Sequence, residues 1–541
     1  MFSTGASGLV NEYVLATITT YILGNSIEQF SIVIACMMFM MGVAGFVQNK
    51  MSDNNLLQKF ITVEVLMAVL GGFAPLAIYA SYGYLENHFL LVHYFFVLSV
   101  GFLIGFEIPL VMRIIDQQNI ELRKNLTIVF AMDYIGAFVG AIIWVKFLLK
   151  NFPLTEISFI VAGFNFAVAV IAIIYFLRLK VIARPILQAL VLTLTAIIMI
   201  VGYMSNRDIS NLLEQKFYED PIVYKETTSY QHLVITHNKG LNDTRLYING
   251  NTQFSSTDEE RYHDFLVHPL MIAAPRIDNV LILGGGDGLA LREVNKYAGV
   301  KQVTLVDLDP DMVKIASSNP YLTQLNKDSF KHANVVVNPM NIHEPGVQKA
   351  LYMSASSNED LAPEYVASTL VFNIDADQFL RQRPDVRWDA VIIDLPDPSS
   401  AELSKLYTTQ FYRSLKRYLA PSAYIAVQST SPFHAKEAYL AIGETLRAAG
   451  LKALPYRQNV PSFGDWGFYL AWAGEESETS LRDRLSGVKK FAVETPFITP
   501  ELLAASFAFG RDELVAKNTC INTLMQPCLL TRYTDDSWLI E

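Results

Sequence analysis

Two short stretches hold the residues whose types and spacing could do chemistry: Leu283-Gly284-Gly285-Gly286-Asp287-Gly288 and Ile393-Asp394-Leu395-Pro396-Asp397-Pro398. In the first, the glycines let the backbone turn sharply and approach a ligand closely. About twenty residues on, an apolar run ends in Asp307-Leu308-Asp309, and a carboxylate at that place can hold both ribose hydroxyls of a nucleoside. The loop lacks the lysine and the serine or threonine of a phosphate-binding loop, which argues against nucleoside triphosphate hydrolysis. It instead carries Asp287 where a pyrophosphate would have to come in. An anion there is unfavourable beside a diphosphate or free carboxylate and favourable beside an ammonium or sulfonium, so the loop points to a cationic nucleoside. Asp287 as N-cap of the next helix is the alternative, and it is compatible with that ligand. Asp375, after another strand-like run, could accept from an adenine amino group. In the second stretch, prolines prevent a helix, so Asp394 and Asp397 can both project into the crevice at the carboxyl ends of the strands. Capping of the following element is the plainer role for such a pair.

These residues need a sheet to position them. Apolar runs at Val280–Leu283, Val303–Val306, Val335–Val337, Ala390–Ile393 and Tyr424–Val427 alternate with helical segments, as in a doubly wound parallel sheet. Before them, Ile222–Tyr224, Leu233–Ile235 and Arg245–Ile248 are separated by the turn formers Asn238-Lys239-Gly240 and Asn249-Gly250-Asn251, a small antiparallel β unit. Thr257 is the expected N-cap of a helix with Asp258, Glu259 and Glu260 in its first turn.

The first part of the chain differs in kind. Of 541 residues 52% are hydrophobic and 17% charged, with a net charge of −10. That negative balance lies beyond Met204, because ten basic and ten acidic residues precede it. Apolar stretches near 4–24, 30–48, 60–82, 89–112, 126–149, 155–177 and 185–204 have the ~20-residue length that crosses a bilayer core. The expected fold is therefore a multi-pass α-helical membrane domain (1–204, about seven helices), a connector (205–220), a small antiparallel β unit (221–256), an α/β doubly wound, Rossmann-like domain of methyltransferase type (257–475) and a C-terminal extension (476–541). Loop residues Lys50, Lys59, Arg113, Arg123, Lys124, Arg178, Lys180 and Arg184 follow the even spans, whereas only Lys150 follows an odd one. The positive-inside rule then places everything after Met204 outside the cytoplasm. Glu12, Glu64, Glu107 and Asp133 lie in apolar segments, where an ionisable group either handles cations or locks helices together. Cys36, Cys520 and Cys528 cannot form a four-cysteine zinc site; one bridge, Cys520 to Cys528, is open to them outside the cytoplasm. The acidic balance argues against a nucleic-acid partner.

From about Pro221 to Ala473 the sequence resembles the spermidine synthase family, the polyamine aminopropyltransferases, and the whole chain resembles its membrane-bound bacterial branch. The residues that carry the likeness are Tyr230-Gln231, Tyr262-His263, the glycine loop with Arg292-Glu293-Val294, Asp307-Leu308-Asp309, Asp375-Ala376, Asp394-Leu395-Pro396-Asp397-Pro398, Leu406-Tyr407, Phe411-Tyr412 and Val460-Pro461-Ser462-Phe463-Gly464. The resemblance implies transfer of the aminopropyl group of decarboxylated S-adenosylmethionine, a co-substrate and not a tightly bound cofactor, to an amine, with release of methylthioadenosine and no metal. It implies that Gln231 and Asp307 bind the nucleoside, Asp375 and Ala376 the adenine, and Asp287 the amino end of the transferred chain. Gly284, Gly285, Gly286 and Gly288 form the loop, Asp394 is the general base, and Asp397, Tyr262, His263 and Phe463 line the amine site.

Departures fall on the acceptor side. Soluble relatives usually have a further glycine in place of Leu289, glutamate in place of Asp307, two serines in place of Leu395-Pro396 and tyrosine in place of Phe463, and they lack an insertion between Pro339 and Leu370. The acceptor is thus a putrescine-like polyamine or an amine on a membrane lipid. A methyltransferase on the same fold and a non-enzymatic polyamine sensor or transporter are the competing classes. Asp287 disfavours the former by repelling a donor with a free carboxylate. Membrane lipids and a second copy of the catalytic domain are the further expected partners.

Overall fold

The computed structural model describes residues 1–23, 26–85, 88–117, 122–178, 185–338, 368–382, 384–518 and 520–535. The insertion expected between Pro339 and Leu370 falls almost wholly outside them, as do Lys180 and Arg184. The chain divides into two compact units, Met1–Ile222 and Val223–Glu541.

The first unit is helical: α1 (Phe2–Leu23), α2 (Ser26–Asn49), α3 (Leu56–Tyr84), α4 (Phe89–Asp116), α5 (Leu122–Ile143), α6 (Leu154–Arg178) and α7 (Pro185–Gln215). Among the described residues six helices are long and apolar enough to cross a membrane, beginning with α2. The seven long helices expected are all present; α1, 22 residues long, stands apart from the six because Thr4, Ser7, Asn11 and Thr19 are buried in it beside Val10, Val14, Leu15 and Ile18. Small residues set the packing. A Cβ on Gly101 of α4 would lie 2.8 Å from the Met37 Cα of α2, and one on Gly105 2.5 Å from the Met41 Cα, so this small-xxx-small pair lets the two backbones touch. Glu64 and Glu107 are fully buried in the unit. The break expected at Met204 is corrected. Helix α7 continues to Gln215 because its polar turns find partners: Asn206 donates to Thr155 Oγ1 (3.2 Å), Arg207 to Glu156 (2.5 Å), and Leu213 packs beside Ala68 and Phe159.

The second unit opens with a four-stranded sheet in the order β1 (Ile222–Thr227), β2 (His232–Asn238), β3 (Asp243–Ile248), β4 (Asn251–Ser255). Asn249 and Gly250 both have positive φ (51° and 82°), which makes a tight hairpin turn and starts a fourth strand at Asn251, a residue the sequence reading spent on the turn. Helix α8 (Glu259–Ala273) is capped by position at Asp258 rather than Thr257.

The large sheet contains β5 (Asn279–Gly284), β6 (Gln302–Asp307), β7 (Asn334–Val337), β8 (Ser368–Asn373), β9 (Trp388–Asp394), β10 (Leu419–Gln428), β11 (Lys452–Val460) and β12 (Gly464–Trp472). Their order is β11-β12-β10-β9-β5-β6-β8-β7. Strands β10 to β7 along this order are parallel, and β12 and β11 close one side as an antiparallel hairpin. Runs such as Leu281-Ile282-Leu283 and Val391-Ile392-Ile393 are buried on both faces, as strands covered by helices must be. Pro455 fits β11 because that strand is an edge. The chain leaves β5 towards β6 on one side and returns to β9 on the other, so the order reverses between β5 and β9, where open sheets take ligands.

Of residues 476–541, expected as an extension, the described ones are woven into this unit. Leu481, Leu485, Ile498 and Leu503 join the core around β5 and α8, while Leu529 joins the core on the other sheet face. A disulfide links Cys520 to Cys528.

Candidate active site

At the reversal point Gly284 of β5 is paired in register with Asp394 of β9. Gly284 has φ +86°, and a Cβ there would collide with the Asp394 carbonyl. Gly288, with φ +81°, starts α9 (Leu289–Val294). Gly286 lies over the end of β6: a Cβ on it would sit 2.7 Å from the Asp307 carboxylate, and its N–H donates to Asp307 Oδ2 at 3.0 Å. Glycine is therefore required for the loop to run against both strand ends.

The predicted acids gather around this loop. Asp287 Oδ1 accepts from the Leu289 N–H at 2.9 Å, the capping geometry considered from sequence. Asp307 Oδ1 accepts from the Asp309 N–H at 2.9 Å. Asp394 Oδ1 accepts from the Tyr262 hydroxyl at 2.6 Å. Burial pushes Asp394 up, opposed by the His263 charge and the Tyr262 hydroxyl and reinforced by Asp287, and it comes to about 6. Burial likewise lifts Asp307 to about 6 against the N–H donors of Asp309 and Gly286. Asp287 and Asp397 are raised by burial as well.

His263 stands behind this cluster. Burial opposes its charge, but its Nδ1 donates to Glu259 Oε2 at 2.8 Å and the Glu259 charge outweighs burial, raising it to about 9. An imidazolium thus faces Asp287 and Asp394 from a fully covered position. Glu259 is held in turn by Arg292, whose Nη1 and Nη2 donate to its two oxygens at 2.7 and 2.9 Å, while Nε donates to Glu293 at 2.8 Å. Among the described residues Asp264, His268 and Glu293 are the group spaced to hold a metal ion. Arg292 and Lys296 already neutralise Glu293, and His268 Nδ1 is bonded to Tyr297 at 2.8 Å, so the group reads as part of this ion-pair network.

Other predicted residues take separate places. Gln231, in the β1–β2 turn, bonds with Thr228 to Asp309, whose Oδ2 accepts from Thr228 Oγ1 at 2.7 Å. Asp375 caps the helix Ala376–Arg381 through the Gln378 N–H (3.0 Å) and pairs with Lys405 (2.8 Å); Ala376 is buried beside it. Phe463 stands edge-on to Tyr262, ring centres 6.2 Å apart. Its hairpin is tied to the start of α8 by Asp258, which accepts from the Ser462 N–H at 2.6 Å and from its hydroxyl at 2.7 Å.

Sequence reasoning missed the residues around Asp397. Gln428 Nε2 donates to its Oδ1 at 3.0 Å, and Thr430 Oγ1 and Tyr533 OH donate to its Oδ2 at 3.2 and 2.9 Å. Gln428 and Tyr407 also bond the Leu395 carbonyl, at 2.6 and 3.2 Å, so the proline-bounded loop is pinned from both sides. Thr430 is buried with φ +56°, a left-handed conformation that a β-branched residue adopts only when its surroundings impose it. The run Gln428-Ser429-Thr430-Ser431 after an apolar strand was the available signal for the first two; Tyr533, 136 residues from Asp397, had none.

The sequence matches the family described as spermine/spermidine synthase domain over residues 259–342 and 362–483. A polyamine aminopropyltransferase of Oceanobacillus iheyensis is 33% identical over 98% of this chain and 95% of its own length. Polyamine aminopropyltransferase 1 of Streptomyces coelicolor is 36% identical over 99% and 93%. A solved structure of spermidine synthase from Thermotoga maritima aligns with 54% of this chain and 87% of its own at 22% identity, TM-score 0.41.

The ion-pair network behind the site has a measurable weight. Arg292→Met removes the cation that holds both oxygens of Glu259, leaving it His263 alone, and one of the cations that hold Glu293, and is expected to cost about 3 kcal/mol. The readout is a lowered melting temperature of the second unit's calorimetric transition; an unchanged one would show the network to be energetically neutral.

Proposed function

The chain belongs to the spermidine synthase family of polyamine aminopropyltransferases, and from that premise we propose that it transfers the aminopropyl group of decarboxylated S-adenosylmethionine to a putrescine-like amine, using Asp394 as general base. The observation that carries this reading is the Asp394 carboxylate itself, half-buried at the reversal point of the sheet, hydrogen-bonded by Tyr262 and within electrostatic reach of Asp287.

The glycine loop Gly284, Gly285, Gly286 and Gly288 receives the donor, with Asp307 and Gln231 at its ribose, Asp375 and Ala376 at its adenine, and Asp287 at the ammonium of its aminopropyl chain. Tyr262, Asp397 and Phe463 receive the amine, with His263, expected among them, covered behind Asp287 and Asp394. Asp394 takes a proton from the attacking nitrogen. The nitrogen lone pair forms a C–N bond to the aminopropyl carbon next to sulfur, the C–S bond breaks, and its electron pair stays on sulfur as methylthioadenosine leaves. The surrounding carboxylates stabilise the positive charge shared between amine and sulfonium, and alignment of the two supplies the remaining acceleration.

Given decarboxylated donor and a panel of amines including lipid amines, purified protein is expected to release methylthioadenosine with a small polyamine. Mass spectrometry of both products decides the acceptor, and release with S-adenosylmethionine in its place would overturn the reading. Asp394→Asn is expected to lower kcat by about 10²–10⁴-fold with donor Kd nearly unchanged.

The pH profile gives an independent check. Because the ionised base is the active form and its pKa is raised to about 6, kcat/KM for the donor at saturating amine should hold above that value and fall as pH drops through it. Tyr262→Phe removes a hydrogen bond that favours the ionised form, so the acidic limb should move to higher pH. A limb that stays in place would take Tyr262 out of that role.

We propose further that the apolar helices anchor the chain in a membrane and that the second unit faces an oxidising compartment. Two features support this: the basic loop residues of the even spans and the Cys520–Cys528 disulfide. Reporter fusions after Gln215, where α7 ends, and after Glu541 should both score as external, and a cytoplasmic score would reverse the assignment.

A further inference from the structure

Asp397 is the carboxylate of the site whose surroundings come from the far end of the chain. Its Oδ2 accepts from Tyr533 at 2.9 Å, and Tyr533 sits on the helix Cys528–Asp535, which starts at a disulfide cysteine. The segment closed by that disulfide is anchored at its middle by Asn522, which is fully buried. Asn522 Nδ2 donates to the carbonyls of Ser404 (2.9 Å) and Tyr407 (3.2 Å), its N–H donates to Thr445 Oγ1 (2.9 Å), and its carbonyl accepts from the Thr409 N–H (3.0 Å). Leu529, one residue past the disulfide, is fully buried, and its N–H donates back to Asn522 Oδ1 at 3.4 Å. Tyr407, gripped by Asn522 through its carbonyl, is the same residue whose hydroxyl donates to the carbonyls of Leu395 and Pro396, at 3.2 and 3.1 Å. The stapled segment therefore reaches the Asp394–Pro398 loop by two routes, directly through Tyr533 and indirectly through Asn522 and Tyr407.

We propose that Tyr533 is a positioning residue for the amine acceptor, holding Asp397 ionised and aimed, and that the Cys520–Cys528 disulfide is what keeps it there. This rests on the assignment of Asp397 to the amine site. The phenol, with Gln428 and Thr430, fills three of the carboxylate's acceptor positions and leaves the remaining lone pairs for an ammonium. Three neutral donors favour the anion over the protonated acid against the burial that opposes it. Opening the disulfide returns conformational freedom to the residues between Cys520 and Cys528 and to the helix that carries Tyr533. The effect belongs to acceptor binding, because the carboxylate that Tyr533 touches is Asp397, whereas the proposed donor contacts are held elsewhere: Asp287 by Leu289, Asp307 by Gly286 and Asp309, and Asp375 by Gln378 and Lys405.

The test is steady-state kinetics of the full-length protein with putrescine as the amine probe. Tyr533→Phe is expected to raise the KM for putrescine about tenfold while kcat and donor KM stay within twofold. Its putrescine KM should also acquire an acidic limb at higher pH than in the parent, a shift that a loss of folded protein would not produce. Dithiothreitol, which breaks the S–S bond to two thiols and is itself oxidised to its cyclic disulfide, should raise the putrescine KM of the parent by a similar factor and add little to Tyr533→Phe, because both act on one contact. The Cys520→Ser, Cys528→Ser double variant should behave as the reduced parent does. If Asp397→Asn raises the putrescine KM and Tyr533→Phe does not, the proposal falls while the assignment of Asp397 stands. If neither moves it, the assignment of Asp397 to the amine site falls. If Tyr533→Phe acts and reduction does not, the staple is overturned.

Discussion

Gly284 and Asp394 end two parallel strands side by side, so close that no side chain fits between them. Much of the second unit can be read as a consequence of that contact. It brings a loop able to approach a nucleoside against a loop proposed to bind an amine, where the strand order reverses between β5 and β9. It also puts Asp287, Asp307 and Asp394 into a common, poorly solvated space. Carboxylates so placed repel one another and lose hydration, and either effect alone favours protonation. A carboxylate proposed as a base must instead be ionised when substrate arrives.

The molecule answers with layers of compensation. Tyr262 and backbone N–H groups bond the acids directly. His263 supplies a positive charge from behind, and it stays positive because Glu259 faces it; Glu259 in turn stays ionised because His263 and then Arg292, which clamps both its oxygens, outweigh its burial. The alternation of acid and base continues through Glu293 to His268 and Asp264. Isolated buried pairs of this kind are poor sources of stability. Their sense here is local: each pair fixes the charge of the next, and the chain ends on the group that faces Asp394. The intermediate value reached by Asp394, neither that of an exposed carboxylate nor that of a permanently neutral acid, is the outcome of this balance.

How much of this was legible in the sequence depends on the range of the interaction. Strands buried on both faces announce themselves as short apolar runs, so β5, β6, β9 and the ends carrying Asp307 and Asp394 could be placed, as could the glycine loop between them. The hairpin β11–β12 could not, because Pro455 and the polar residues of Arg457-Gln458-Asn459 hide an edge strand, though its turn Pro461–Gly464 stood out. The apolar helices were visible by length. The end of α7 was not, since Asn206 and Arg207 look like a connector until Thr155 and Glu156 of another helix are seen beside them. Within the site, family likeness pointed to the acids at the strand ends, whereas the environment of Asp397 was invisible. Thr430 owes its conformation to tertiary packing, and Tyr533 lies in a segment whose composition looks like a tail.

That segment changes how the acceptor side is to be understood. Leu395-Pro396 and Phe463 replace small polar groups and a phenol, so this site has fewer hydroxyls of its own near the amine than the sequence pattern of the family provides. Tyr533 restores one phenol from a different part of the chain, donating to the carboxylate next to that substitution. A phenol delivered by a folded tail is positioned only as well as the tail is held, and a tail of this length gains little from helix propensity. A short covalent loop together with the buried Asn522 supplies the missing constraint. Such a constraint persists only where thiols are not kept reduced. In the proposed scheme the compartment of the second unit and the arrangement of its amine site are thus two aspects of one requirement: a chemistry that depends on the Cys520–Cys528 bond has to be carried out where that bond lasts.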